Sequence, residues 1–116
     1  MGAIEIQRVY DHRDPTGAVF LVDRMWPRGV RKDDLPLDGW PRDVAPSTEL
    51  RQWFGHRPER FEAFAERYRR ELDGHREELE PLLAAARRGT VTLLYGAKDT
   101  EHNQAVVLRD YLREQL

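Results

Sequence analysis

Thr90-Val91-Thr92-Leu93-Leu94-Tyr95-Gly96-Ala97-Lys98-Asp99-Thr100-Glu101-His102-Asn103 is the stretch from which the fold is read. Its first half is β-branched and apolar, follows Arg87-Arg88-Gly89, and is too short for a helix, so it predicts a strand buried on both faces. Gly96 breaks the run. Lys98, Asp99, His102 and Asn103 then crowd together ahead of a second periodic segment, which makes the whole a strand, loop and helix. In an open α/β sheet that junction lies at the carboxyl end of a central strand, where such sheets place their ligands.

Working outward, residues 4–10 alternate apolar and polar side chains through Ile4, Ile6 and Val9 or Tyr10, as a strand does. Asp14-Pro15-Thr16-Gly17 is turn chemistry, and Val19-Phe20-Leu21-Val22 is a second buried run that empties into Asp23-Arg24-Met25-Trp26-Pro27-Arg28-Gly29. The short link between these strands suits a hairpin, whereas parallel neighbours need a longer crossover. The two are therefore antiparallel neighbours or not adjacent. Residues 30–46 carry Pro36, Pro41 and Pro46 and only isolated apolar side chains. This long irregular segment is expected to fold over the sheet's edge with Trp40 as its anchor.

Ser47 offers a helix N-cap, and Leu50, Trp53 and Phe54 form a stripe ended by Gly55. Pro58 suits a first helical turn. Phe61, Phe64, Ala65, Tyr68 and Leu72 then give the clearest amphipathic helix, and Leu79, Leu82, Leu83 and Ala86 repeat its spacing, with Pro81 either kinking that helix or standing near its start. The last helix carries Ala105, Leu108, Tyr111 or Leu112 and Leu116, with Asp99 or Thr100 as its cap. The order predicts a small α/β sandwich of about three or four strands packed with four helices. So thin a sheet leaves room for pairing with a second subunit as a homodimer.

The 116 residues bound the chain to one domain spanning 1–116. The absence of cysteine excludes disulfides, thiolate catalysis and cysteine-ligated zinc, and fits a cytoplasmic location. No apolar run approaches the roughly 18 residues of a membrane span, and the start lacks the pattern of a secretory signal. A formal charge of -2 argues against a protein coated in basic surface for duplex DNA, yet permits a local basic pocket. Of nineteen Lys and Arg, only Lys32 and Lys98 are Lys, and a position kept as Lys fits a need for a compact, deprotonatable ammonium.

Two constellations carry the candidate chemistry. Lys98, Asp99 and His102 form an acid–base set: the imidazole titrates near neutrality, the carboxylate orients it and the ammonium stabilises developing negative charge. A purely structural reading has Lys98 and Asp99 holding the loop by a salt bridge. Arg24, Trp26 and Arg28, with Arg31 and Lys32, form the second set, in which the arginines clamp phosphate or carboxylate and Trp26 stacks on a planar ligand. Its structural alternative makes Trp26 a core residue. Arg8 joins this pocket from the first strand or pairs with Asp23, and Asn103 stands at the loop's end. His12, His56, His75 and His102 show no metal-ligand spacing; His56, after Gly55, reads as a cap for the next helix, and neither G-x-G-x-x-G nor G-x-x-x-x-G-K-[ST] occurs.

The strings Arg8-Val9-Tyr10, Leu21-Val22-Asp23-Arg24-Met25-Trp26-Pro27-Arg28-Gly29, Ala45-Pro46-Ser47 with Leu50-Arg51, Trp53-Phe54, and Leu93-Leu94-Tyr95-Gly96-Ala97-Lys98-Asp99 with His102-Asn103 resemble the YeaO-like proteins, domain-of-unknown-function family 488. The resemblance runs in order along nearly the whole chain. It implies a small Rossmann-like α/β domain of bacterial and archaeal cytoplasm with no established reaction and no known cofactor. It also implies that larger relatives carry Cys, Glu and Cys-His-Arg where this chain has Tyr95, Lys98 and His102-Asn103, so cysteine-dependent chemistry does not carry over. The residues and the resemblance together leave three functions: a pocket, binding or catalytic, for a phosphate-bearing or carboxylated small molecule such as a nucleotide; a non-catalytic module for a nucleotide or single-stranded RNA; or a structural protein.

Overall fold

The computed structural model describes residues 2–116. Three strands, β1 (Ile4–Arg8), β2 (Ala18–Leu21) and β3 (Val91–Tyr95), form one parallel sheet in the order β1-β3-β2. The stretch 91–95 is thus the central strand, buried at every residue. It pairs Ile4 with Val91 and Arg8 with Tyr95 on one side, and Ala18 with Val91 and Leu21 with Leu94 on the other. The first two strands are not adjacent, and no hairpin joins them.

Residues 9–17 instead carry the chain from the carboxyl end of β1 to the start of β2, past β3 and without a helix. Extended backbone covers roughly 3.4 Å per residue, about 30 Å in all, which suffices to return along a strand of about 17 Å and cross two strand spacings of about 10 Å. The Thr92 hydroxyl donates to the Thr16 carbonyl at 2.7 Å and pins the crossing to the sheet. Gly17 makes the final approach possible: its φ is 72°, and a Cβ there would lie 2.0 Å from the Thr90 carbonyl oxygen.

Four α-helices follow from the expected signals: α1 (Thr48–Phe54), α2 (Phe61–Asp73), α3 (Arg76–Arg88) and α4 (Gln104–Gln115). Ser47 caps α1 by accepting from the Leu50 amide at 3.2 Å, and α3 runs through Pro81 with five residues of helix ahead of it. All four bury side chains, among them Phe54, Phe64, Leu82 and Leu108, in one core with Ile4, Phe20, Val22, Leu93 and Tyr95 of the sheet. Coil, not helix, covers the other face, where Val19, Leu21 and Leu94 meet Val9, Trp26, Leu35, Leu37 and Trp40. The alternation along β2 and β3 therefore sorts side chains between a helical and a coil layer.

The irregular segment does fold over the edge of β2. Asp38 donates its amide to the Val19 carbonyl at 2.8 Å, the Leu21 amide donates to Gly39 at 3.2 Å, and the Asp38 carboxylate accepts from the Val19 amide at 2.7 Å. These bonds satisfy backbone groups that an edge strand otherwise leaves open. Trp40 anchors the segment through its indole N–H, which donates to the Asp23 carbonyl at 2.7 Å.

The cap of α4 differs from expectation. Asn103 supplies it, accepting from the Val106 amide at 3.1 Å. Asp99 instead accepts from the amides of Glu101 and His102, both at 2.9 Å. Its carboxylate closes a turn before the helix, which moves the helix start to Gln104. No helix among the described residues is long and apolar enough to cross a membrane.

Candidate functional site

At the carboxyl end of the sheet, β2 and β3 continue into Val22-Asp23-Arg24 and Gly96-Ala97. The ladder persists one residue further, since the Val22 amide donates to the Leu94 carbonyl at 3.0 Å. Asp23 then bridges the two strand ends. Its carboxylate accepts the Gly96 amide at 2.9 Å and, through its other oxygen, the side-chain amide of Gln104. Arg24 turns towards the segment before α1, donating to the carbonyls of Pro46 at 3.2 Å and Ala45 at 3.1 Å.

These groups border a cavity of about 350 Å³. Asp23, Arg24 and Met25 line it from the end of β2, Gly96 and Ala97 from the end of β3, and Asn103 and Gln104 from the start of α4. Pro46, Arg51, Gln52, Phe54 and His56 contribute from around α1, and Phe64 from α2. The arginine-bearing exit of β2 and the turn after β3 therefore face one hollow. Phe54 and Phe64 stack with ring centroids 4.4 Å apart, so the cavity joins an aromatic wall to a polar rim.

Burial lifts the Asp23 carboxyl to about 6, against the opposing pull of the Gly96 and Gln104 hydrogen bonds and of the nearby Arg51 and His56 charges. A carboxyl held there changes charge close to neutrality, although both its oxygens already accept hydrogen bonds. With Arg24 and Arg51 on the same rim, the lining carries more positive than negative charge.

The residues expected to act are divided by the structure. Arg24 and Asn103 line the cavity; Arg8, Trp26, Arg28, Lys32, Lys98, Asp99 and His102 are not among its lining. Arg8 donates to the Ala97 carbonyl at 2.9 Å, with its guanidinium 4.8 Å from the Tyr10 ring centre, so it supports the turn after β3 from behind. Trp26 packs edge-on against Trp40 at 5.4 Å and donates to the Val30 carbonyl at 2.7 Å. Arg28 is exposed, with its carbonyl accepting from the Tyr10 hydroxyl at 2.8 Å. Lys32 is exposed on a short 3-10 turn, Lys32–Asp34.

Asp99 and His102 do pair, Oδ2 to Nδ1 at 2.9 Å, and the His102 ring sits edge-on to Phe61 at 5.2 Å. Hydrogen bonds from the Glu101 and His102 amides hold the Asp99 carboxyl below the usual carboxylate range. Lys98 is exposed beside them. Arg51, Gln52, His56 and Gln104 had no signal as a site in the sequence. Arg51 follows Leu50, Gln52 follows Arg51, His56 follows Gly55 and Gln104 follows Asn103, and their convergence depends on contacts across α1, β2 and α4.

A family model described as the inactive DUF488-N3 subclade matches residues 3–116. The chain belongs to that DUF488 family. Within it, the chain is 45% identical over 111 residues to the uncharacterized protein YeaO of Escherichia coli, covering 95% of this chain and 96% of that one. It is 43% identical over 110 residues to an uncharacterized protein of Mycobacterium tuberculosis, covering 94% of this chain and 92% of the relative. An uncharacterized protein of Mycobacterium bovis is similar to the same extent, 43% over 110 residues. No solved structure matches the chain.

Proposed function

We propose that this DUF488 domain binds a small phosphate-bearing or carboxylated molecule, such as a nucleotide, in the cavity at the carboxyl ends of β2 and β3, and binds it without turning it over. The observation that carries the reading is the rim itself: Arg24, Arg51 and His56 border the cavity with Asp23 as the one carboxylate, already engaged by Gly96 and Gln104. The start of α4, a helix of twelve residues, adds the favourable end of its dipole to the same side.

Binding without turnover is favoured by where the acid–base residues stand. Asp99 and His102 are engaged with each other and with the loop amides, outside the cavity lining. The description of the matching subclade as inactive points the same way. Single-stranded RNA is a weaker fit, because Trp26 is packed on Trp40 rather than presented as a stacking surface.

Thermal-shift titration tests the reading. A ligand bound only by the folded state raises apparent stability by RT ln(1 + L/Kd), with L the free ligand concentration, so inorganic phosphate and nucleoside monophosphates should raise Tm for the native chain and lose that effect in Arg51→Ala. An unchanged Tm with every anion sinks it.

A further inference from the structure

The two outer edges of the sheet differ. Asp38 and Gly39 cover β2, whereas no segment among the described residues covers β1. In the ladder to β3, the Val91 amide donates to the Ala3 carbonyl at 2.9 Å and the Val9 amide to the Tyr95 carbonyl at 2.8 Å. Odd-numbered residues of β1 therefore face β3, and Ile4, Ile6 and Arg8 turn their backbone groups outward. The Ile4 carbonyl accepts from Arg113 and the Arg8 carbonyl from the Asp11 amide, both at 3.0 Å. Ile6, the midpoint of the strand, keeps both N–H and C=O without a protein partner among the described residues. Neither proline nor lysine within β1 discourages pairing, and its register carries no bulge. A groove of about 490 Å³ opens along this edge, between Arg13 and Asp14 of the crossover and Arg109 and Arg113 of α4.

The occupant that fits is a second copy of the chain. A residue lying on a two-fold axis between antiparallel strands exchanges both its bonds with its own counterpart, and Ile6 offers that donor and acceptor. Centred on Ile6, the pairing overlaps all of Ile4–Arg8 and sets the exposed Glu5 opposite Gln7 of the second copy. Centred on Glu5, it would oppose two carboxylates, which disfavours that register. The groove also carries both signs of charge, Glu5 and Asp14 against Arg13, Arg109 and Arg113, as a self-complementary surface requires. Spacing agrees. Because α4 packs on both β1 and β3, it lies about half a strand spacing inside β1, while the axis falls half a spacing outside it. The two copies of α4 then stand about 10 Å apart, a helix-packing distance.

We propose that β1 is a dimer interface, at which two copies pair antiparallel about a two-fold axis at Ile6 and join their three-stranded sheets into one. The cavities at the carboxyl strand ends then lie at opposite ends of the joined sheet. This interface is independent of the anion-binding reading.

Sedimentation equilibrium of the full chain should show a reversible dimer. Gln7→Glu sets carboxylates face to face twice across the axis and should weaken the dimer severalfold; adding Glu5→Lys to it should restore association. The chain has no cysteine, so oxidising a mixture of Glu5→Cys and Gln7→Cys should yield a cross-linked pair, since opposed residues that share no hydrogen bonds lie about 4.5 Å apart. Glu5→Cys alone should not cross-link at the same concentration. A chain that stays monomeric at millimolar concentration overturns the proposal. So does a dimer that is indifferent to both charge changes and whose cysteine mixture fails to cross-link.

Discussion

Asp23 and Gly96, far apart in sequence, meet through a hydrogen bond of 2.9 Å between the Gly96 amide and the Asp23 carboxylate. The contact leaves no room for a side chain: a Cβ on Gly96 would lie 2.9 Å from the same carboxylate oxygen. Gly96→Ala should therefore displace the Asp23 carboxylate and lower stability by about 1–2 kcal/mol, the cost of a disturbed, partly buried charged hydrogen bond. Urea unfolding with an unchanged slope would measure it, and a midpoint equal to the native one would refute the close approach.

Asp23 also sets a pH dependence. Its carboxyl is held at about 6 when folded, against an ordinary value of 3.8, so the folded state binds the proton more tightly than the unfolded one. Its contribution to stability is largest below about 3.8, declines as pH rises, and is lost once pH passes about 6, a change of up to roughly 3 kcal/mol. The stability difference between the native chain and Asp23→Asn should follow that course between pH 4 and 7. A difference that stays constant with pH would show that Asp23 is not so perturbed.

Arg24 is both rim and tie. Arg24→Ala removes the bonds to the Ala45 and Pro46 carbonyls and should cost about 2 kcal/mol. Arg24→Lys should recover only part of this, since an ammonium lacks the planar fork that spans two carbonyls. Full recovery in Lys, read from chemical denaturation, would mean that charge alone matters there.

Asn103 serves two partners, accepting from the Val106 amide at 3.1 Å and donating to the Asp99 carbonyl at 2.9 Å. Asn103→Ala should cost about 1–2 kcal/mol. Asn103→Asp keeps the acceptor and loses the donor, so its Tm should fall between the two. If Asp and Ala were equally damaging, the cap would not be the dominant contribution.

Trp26→Ala should destabilise the coil-covered face by roughly 2 kcal/mol through lost burial, and Trp26→Phe by about 1 kcal/mol through the lost bond to Val30. Tm measurements on both variants test this. An unaltered Tm in Trp26→Ala would return that ring to the list of ligand-stacking candidates.

Much of the fold was legible because apolar spacing is a local signal. Val91 to Tyr95 could only be a buried strand, Phe61 to Leu72 could only be an amphipathic helix, and Ser47 announced α1. The crossover was not legible in the same way. A link of nine residues resembles hairpin material, and only the placement of β3 between β1 and β2 shows that it spans the sheet.

The candidate site was legible by half. Strand ends beside Gly96 and Arg24 pointed to the end of the sheet where the cavity lies, because parallel sheets place loops there. Arg51, His56 and Gln104 were hidden, since the sequence does not reveal which helix ends converge. Polar residues clustered at a strand exit also close turns, and the structure shows Asp99 and His102 bonded into one.

The strand order has a consequence for synthesis. β1 and β2 have no partner in each other, and the strand both require emerges from the ribosome only after residue 90. Until then two apolar segments wait without a template, and nucleation must await a late, sequence-distant encounter. A nascent chain stalled before Val91 would thus be a substrate for chaperones rather than a partly assembled sheet.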